Sequence, residues 1–266
     1  MIKKILGLLM MALLIAPNNL CADMTKNEAQ LKGLKIVSEA VRRDDGFSDS
    51  QSDLNMILTN RQGRTSTRVM RAKTLEVPGD GNKSLTVFDN PRDVKGSAFL
   101  SFTHTDRTDD QWLYLPALKR VKRISSDNKS GSFMGSEFSF EDLASEEVEK
   151  FTYLYLRDEL FNGLNTFVVE RYPLDPKSGY SRQQVWYDKE EYRIQKIVIY
   201  DRKDKLLKTL TYNGYNKYLE KYWHPDEAFV ENHQTGKTTK LTWNNYKFQN
   251  GFTESDFDKD SLKRIR

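Results

Sequence analysis

Residues 111–124 read Gln111-Trp112-Leu113-Tyr114-Leu115-Pro116-Ala117-Leu118-Lys119-Arg120-Val121-Lys122-Arg123-Ile124. In an extended chain successive side chains point to opposite faces, so Trp112 and Tyr114 share one face while Leu113 and Leu115 share the other. Both faces are apolar, unlike a sheet backed by solvent on one side. Something must therefore cover the second face. One covering is the N-terminal helix packed as ordinary core; another is a bent sheet that encloses a cavity for an apolar ligand. The two are compatible, because a helix over a curved sheet leaves a slot between them.

On either side of this stretch, short runs rich in Val, Ile, Tyr, Phe, Trp and Thr alternate with turn signals such as Asn60-Arg61-Gln62-Gly63, Pro78-Gly79-Asp80-Gly81 and Asn213-Gly214. Leu54, Met56 and Leu58 alternate with polar neighbours, and Val185 and Tyr187 flank Trp186. Strands are predicted near 51–59, 64–76, 84–89, 94–104, 110–116, 119–125, 163–172, 180–188, 192–201, 205–213, 226–233 and 237–248. About a dozen strands in one domain imply a single large antiparallel sheet, coiled or closed. Before them, Thr25 with Glu28 forms a capping-box pattern, and Leu31, Leu34, Val37 and Val41 make a helical stripe that ends near Gly46. Residues 144–155 suit a short helix or a helix followed by a strand, and Thr253 to Ile265 a weak terminal helix.

The chain opens with Lys3 and Lys4, an uncharged run from Ile5 to Ala16, Pro17, and then Leu20-Cys21-Ala22. That order is a secretory signal peptide over residues 1–22, too short in its apolar part to span a bilayer. Cys21 raises lipidation as a rival, but Asn18-Asn19-Leu20 is a poor lipobox. The expectation is a soluble mature domain over 23–266 that starts at Asp23 without a lipid anchor. It contains no cysteine, so an oxidising compartment is entered without disulfides. Without the two leader lysines, the 42 Lys and Arg come within two of the 38 Asp and Glu. So balanced a charge argues against a bulk nucleic-acid binder.

Catalytic chemistry finds no support. His104, His224 and His233 lack metal-ligand spacing, Gly131 and Gly135 lack the Lys-Ser/Thr of a phosphate loop, and Ser136 sits in no nucleophile elbow. Glu137, Glu141 and Asp142 could supply an acid/base pair, although acids near a helix start usually serve its dipole. No catalytic residue, metal or cofactor is expected.

The run from Trp112 to Ile124, followed by Gly131-Ser132-Phe133-Met134-Gly135-Ser136-Glu137-Phe138-Ser139-Phe140-Glu141-Asp142-Leu143, resembles the bacterial LolA-like outer membrane lipoprotein-sorting protein family. The resemblance extends over nearly all of the mature chain in order of elements. It implies a mostly β fold with a few helices (α+β): a strongly curved antiparallel half-barrel covered by helices, LolA/LolB-like, whose apolar interior accepts acyl chains without a cofactor. The implied function is a periplasmic carrier, not an enzyme, that moves a lipoprotein or lipid toward the outer membrane. A longer branch of the family often accompanies RND-type lipid exporters, which implies an inner-membrane RND-type transporter and an outer-membrane acceptor as partners. The alternative is a docking or assembly module of the same fold, its cavity filled by its own side chains. The lid-fixing arginine of the shorter carriers has no unambiguous match among Arg61, Arg64, Arg68 and Arg71.

A lipid in water exposes its chains at about 0.8 kcal/mol per CH2, so a carrier needs an adaptable apolar lining. Met56, Met70, Phe88, Phe99, Phe102, Trp112, Tyr114, Phe133, Met134, Phe138, Phe140 and Trp186 are the candidates, each equally able to serve as plain core. Residues 126–136 form a polar loop with Phe133 and Met134 set into it, expected to be a mobile flap at the cavity mouth. Lys119, Arg120, Lys122 and Arg123 are candidates for docking to an anionic headgroup or an acidic partner, or else a solvated face.

Overall fold

The computed structural model describes residues 24–264; the leader expected over 1–22, with Cys21, lies outside them. Thr25 caps α1 (Lys26–Asp44) through the predicted box: its hydroxyl accepts from Glu28 N at 3.3 Å, and the Glu28 carboxylate accepts from Thr25 N at 2.8 Å. The buried face of α1 carries Ala29, Gly33, Ile36 and Val37, while Leu31 and Leu34 of the expected stripe stay exposed. Gly33 is required on this face because a strand backbone lies directly beneath it. A Cβ on Gly33 would stand 2.9 Å from the backbone nitrogen of Tyr155.

Strands β1 (Asp49–Thr59), β2 (Thr65–Leu75), β3 (Lys83–Asn90), β4 (Ala98–Phe102), β5 (Asp110–Leu115) and β6 (Arg120–Ile124) form one antiparallel meander. A second comprises β7 (Phe151–Phe161), β8 (Leu164–Pro173), β9 (Tyr180–Asp188), β10 (Ile194–Asp201) and β11 (Leu206–Asn213). After a separate hairpin of β12 (Asn216–Tyr218) and β13 (Tyr222–His224), β14 (Glu227–Asn232) and β15 (Lys237–Phe248) join the two meanders. The result is one thirteen-stranded sheet ordered β6-β5-β4-β3-β2-β1-β15-β14-β11-β10-β9-β8-β7, with β6 and β7 as open edges. Residues 144–155 resolve to one helical turn, Val148–Lys150, followed by β7. The expected terminal helix is two single turns, Glu254–Phe257 and Leu262–Arg264.

Consecutive residues Ser139 and Phe140 reveal how far this sheet bends. The Phe140 ring lies 5.6 Å from that of Phe99 on β4, while the Ser139 hydroxyl lies 2.8 Å from that of Tyr180 on β9. In a flat sheet eight strand spacings would separate β4 from β9 by about 38 Å. One short segment can touch both only because the sheet curls around it. Since β6 and β7 sit at opposite edges, the chain from 125 to 150 must cross the concave side.

Two apolar clusters follow from the pleat. On the concave face Met56, Met70, Phe88, Phe99, Leu113, Val169, Val185 and Leu241 join Ile36 and Val37 of α1. On the convex face Leu85, Val87, Ala98 and Leu100 lie under Phe257 and Leu262 of the C-terminal segment. That segment is pinned where Asp49 accepts hydrogen bonds from Asn250 N (2.7 Å) and Gly251 N (2.9 Å). Both faces of β5 are therefore covered, as its sequence requires, but by different parts of the chain.

Candidate functional site

The concave side of β2–β4 is filled from above by the 125–150 segment. Phe133, 2% exposed, meets Phe99 at 5.2 Å, Phe140 at 5.7 Å and Phe88 at 5.8 Å between ring centroids. Phe138 is buried beside them, and Met134, in a left-handed turn at φ 50°, packs on the same cluster. Seven of the predicted residues thus come together as one core: Met56, Met70, Phe88, Phe99, Phe133, Phe138 and Phe140, with Met134 at its margin.

The other four lie elsewhere. Phe102, Trp112 and Tyr114 pack on the convex cluster. Trp186 is paired with Val168 on β8, its neighbours Val185 and Tyr187 facing the concave core; its indole N–H donates to Glu159 at 3.1 Å. Their assignment to a concave lining is corrected for a simple reason: alternation separates Trp112 from Leu113, but which of the two faces inward depends on how the whole sheet bends.

Polar contacts fix the crossing segment to the opposite half of the sheet. Glu137 N donates to Thr239 Oγ1 at 2.9 Å, and Asn232 Nδ2 donates to Glu137 Oε2 at 2.6 Å. The nearly buried Lys208 ammonium pairs with Asp142, whose other carboxylate oxygen accepts from the Tyr180 hydroxyl at 2.6 Å. Burial, followed by the charges of Asp142 and Glu141, holds that phenol well above its usual pKa. Further on, Arg171 donates to Glu146 at 2.7 Å. A buried pair of this kind resists removal of one member, because the remaining charge is left without compensation.

Beyond this plug the concave side opens into two clefts that share residues 144–146 and 149 as a common wall. The larger, ≈ 1430 Å³, lies between the end of α1, the β12–β13 hairpin and the sheet, with Ala72, Tyr212, Trp223, Trp243 and Glu147 in its lining. The smaller, ≈ 510 Å³, has Ile194, Ile197, Ile199 and Leu210 in its wall. None of the twelve predicted apolar residues lines either cleft. The cleft walls escaped sequence reading because Tyr212, Trp243 and Ile197 look like ordinary alternating strand residues.

The basic stretch occupies edge strand β6 and the turn before it. Lys119, Arg120, Lys122 and Arg123 are all exposed, and Arg123 pairs with Asp110. Each histidine has a local role: His104 Nδ1 lies 2.6 Å from Asp80, which this contact holds down to about 2; His233 meets the Thr209 hydroxyl at 2.8 Å. His224 packs among Phe47, Tyr246 and Phe248, and burial pushes it down to about 4. Among the described residues, no group of three or more His, Cys, Asp or Glu could hold a metal ion, and no helix is long and apolar enough to cross a membrane.

Among the described residues, an open, curled antiparallel sheet with a single α-helix and a chain segment across its hollow defines the LolA-type fold. The chain belongs to the LolA-like outer membrane lipoprotein-sorting protein family. A domain assigned to outer membrane lipoprotein sorting from Vibrio parahaemolyticus is 56% identical, with a TM-score of 0.87 over 88% of this chain and 100% of that one. A DUF1329 family protein from Desulfovibrio piger is 30% identical, with a TM-score of 0.83 over 88% and 99%. A LolA superfamily protein from Nitrosomonas europaea shares the fold at 18% identity, TM-score 0.69, over 86% and 98%. A family model described only as that of an uncharacterized protein matches residues 80–264. No curated protein matches the chain.

Proposed function

We propose that the chain is a periplasmic carrier that holds the acyl chains of a lipoprotein or lipid against its concave face and carries them toward the outer membrane. The observation that carries this reading is the hollow itself. Its apolar lining is covered on the open side by a loop and a helix instead of a second sheet, and Ile197, Ile199 and Leu210 of the same concave cluster also wall the smaller cleft. The 56% identity to a domain assigned to lipoprotein sorting supports the same reading. A leader over residues 1–22 would deliver the chain to the periplasm, with residues 23–266 acting as one carrier domain. Phe133 and Met134 would occupy the hollow in the empty state and leave it when Met56, Met70, Phe88 and Phe99 receive cargo. An RND-type inner-membrane transporter and an outer-membrane acceptor are the proposed partners.

A second reading rests on the aromatic plug. A hollow filled by Phe133, Phe138 and Phe140 also suits a docking or assembly module that carries nothing. Organic-solvent extraction of protein purified from the periplasm, followed by mass spectrometry, separates the two. Stoichiometric lipid in the extract supports the carrier; a lipid-free extract supports the docking module.

A further inference from the structure

We infer that the larger cleft is the headgroup site of the carrier and takes an amphiphile with a cationic amine, such as the ammonium of an aminophospholipid. This rests on the carrier reading and adds a cargo class to it.

The geometry begins at Glu147. It lies in the cleft wall with the residue 9% exposed, and among the described residues none hydrogen-bonds or ion-pairs with its carboxylate. Gly81 makes room for it: a Cβ there would stand 2.8 Å from Glu147 Oε1. A buried carboxylate without a partner is costly unless a cation or a proton compensates it. Burial, reinforced by Glu149 and Asp45 and opposed by Lys150, pushes Glu147 up to about 7.

The cations of the same cleft are already engaged. Arg43 pairs with Glu39 and Glu191, and Arg42 with Glu39. Arg193 pairs with Asp188 at 2.8 Å and lies over the Trp223 ring at 4.6 Å. Lys221 donates to the backbone carbonyl of Asp45 at 2.8 Å, and Lys217 stands over Trp223. His224, 3.9 Å from Asp44, is uncharged at neutral pH and gives that carboxylate no compensation. The wall therefore keeps more carboxylates than cations: Lys221 acts on Asp44 and Asp45, and Glu147 feels Lys150, which is itself paired with Asp109. Because among the described residues no three of these carboxylates converge on a metal-binding arrangement, an organic ammonium fits better than a metal ion. The site lies next to the smaller cleft with its isoleucine wall, so one molecule could place its charge at Glu147 and its chains on the sheet.

The test uses delipidated full-length mature protein and mixed vesicles of three lipids with identical dioleoyl chains: phosphatidylethanolamine, its N-acetylated form and phosphatidylglycerol. Lipid taken up is counted by native mass spectrometry. The inference expects about tenfold preference for the free amine, the worth of one charge-assisted contact. Glu147→Gln, which keeps shape, should abolish the preference while still taking up lipid, and Asp45→Asn should reduce it. Equal uptake of all three lipids, or an undiminished preference in Glu147→Gln with its fold intact, overturns the headgroup site and leaves the carrier standing. No uptake of any lipid overturns the carrier reading and this inference with it.

Discussion

The rings of Phe99 and Phe133 meet edge-on, 5.2 Å apart, one from strand β4 and the other from a loop that crosses the hollow of the sheet. A single contact thus joins the rigid wall to the element that must move if the hollow is to receive cargo. Phe133→Ala should cost about 3–5 kcal/mol in urea unfolding, as for other buried phenylalanines. If the loop is a plug, the variant should also take up lipid faster than the native chain. Slower uptake by a folded variant would mark Phe133 as part of the binding surface.

Residues 126–136 should show fast amide exchange in the empty protein and slower exchange with bound lipid. Protection equal to that of strands β3 and β4 in both states would remove the flap from the account.

Lys208 and Asp142 tie that same segment to the far half of the sheet. Lys208→Met leaves Asp142 buried and unpaired, an expected loss of about 3–5 kcal/mol. The double change Lys208→Met with Asp142→Leu should recover much of it. A single variant with native stability would show that the pair does not hold the segment down.

Gly33 lets α1 rest on the backbone of Tyr155. Alanine raises helix propensity, yet its methyl would collide with backbone that has no flexible end to give way. Gly33→Ala should therefore destabilise by about 1–3 kcal/mol, whereas Gln30→Ala on the exposed face should be neutral or slightly stabilising. Thermal melts of the two variants decide the matter.

Glu147 gives a pH dependence with a defined sign. Its folded pKa of about 7 lies above the ordinary 4.5, so the folded state holds its proton more tightly. The associated stabilisation is complete below about pH 4.5 and is lost as pH rises to about 7. Glu147→Gln should match the native chain near pH 4 and exceed it at pH 8. Parallel melting curves across that range would contradict the assignment.

Lys119, Arg120, Lys122 and Arg123 line an exposed sheet edge, where clustered charge chiefly raises association rates. Changing all four to Gln should slow lipid transfer between vesicles several-fold and flatten its salt dependence, with little change in melting temperature. An unchanged rate and salt profile would leave them a solvated face.

Much of this architecture can be read from residue order. The alternation in 110–116 and the basic run after it correspond to β5 and β6, and Thr25 with Glu28 marks the start of α1. Strand β7 is harder, because Val148-Glu149-Lys150 completes a helical turn just before Phe151, and a bulge between Tyr155 and Arg157 breaks its alternation. Phe133 stands out as a large apolar residue in a polar loop, so its burial is legible. The inner and outer faces of β4 and β5 are not, since Phe99 and Phe102 are equally apolar. Phe257 and Leu262 cover the outer face from a segment with little regular structure, and no local pattern announces that contact.

In a carrier of this kind the acyl chains sit on the concave face. A phospholipid with a diazirine on its acyl chain, loaded into the protein and photolysed, can be mapped by peptide mass spectrometry. Adducts should fall on concave positions such as Met56, Met70, Phe88 and Phe99, and on the cleft wall near Tyr212. Adducts confined to Phe102, Trp112, Tyr114 and Trp186 on the outer face, or none on the concave side, would contradict it.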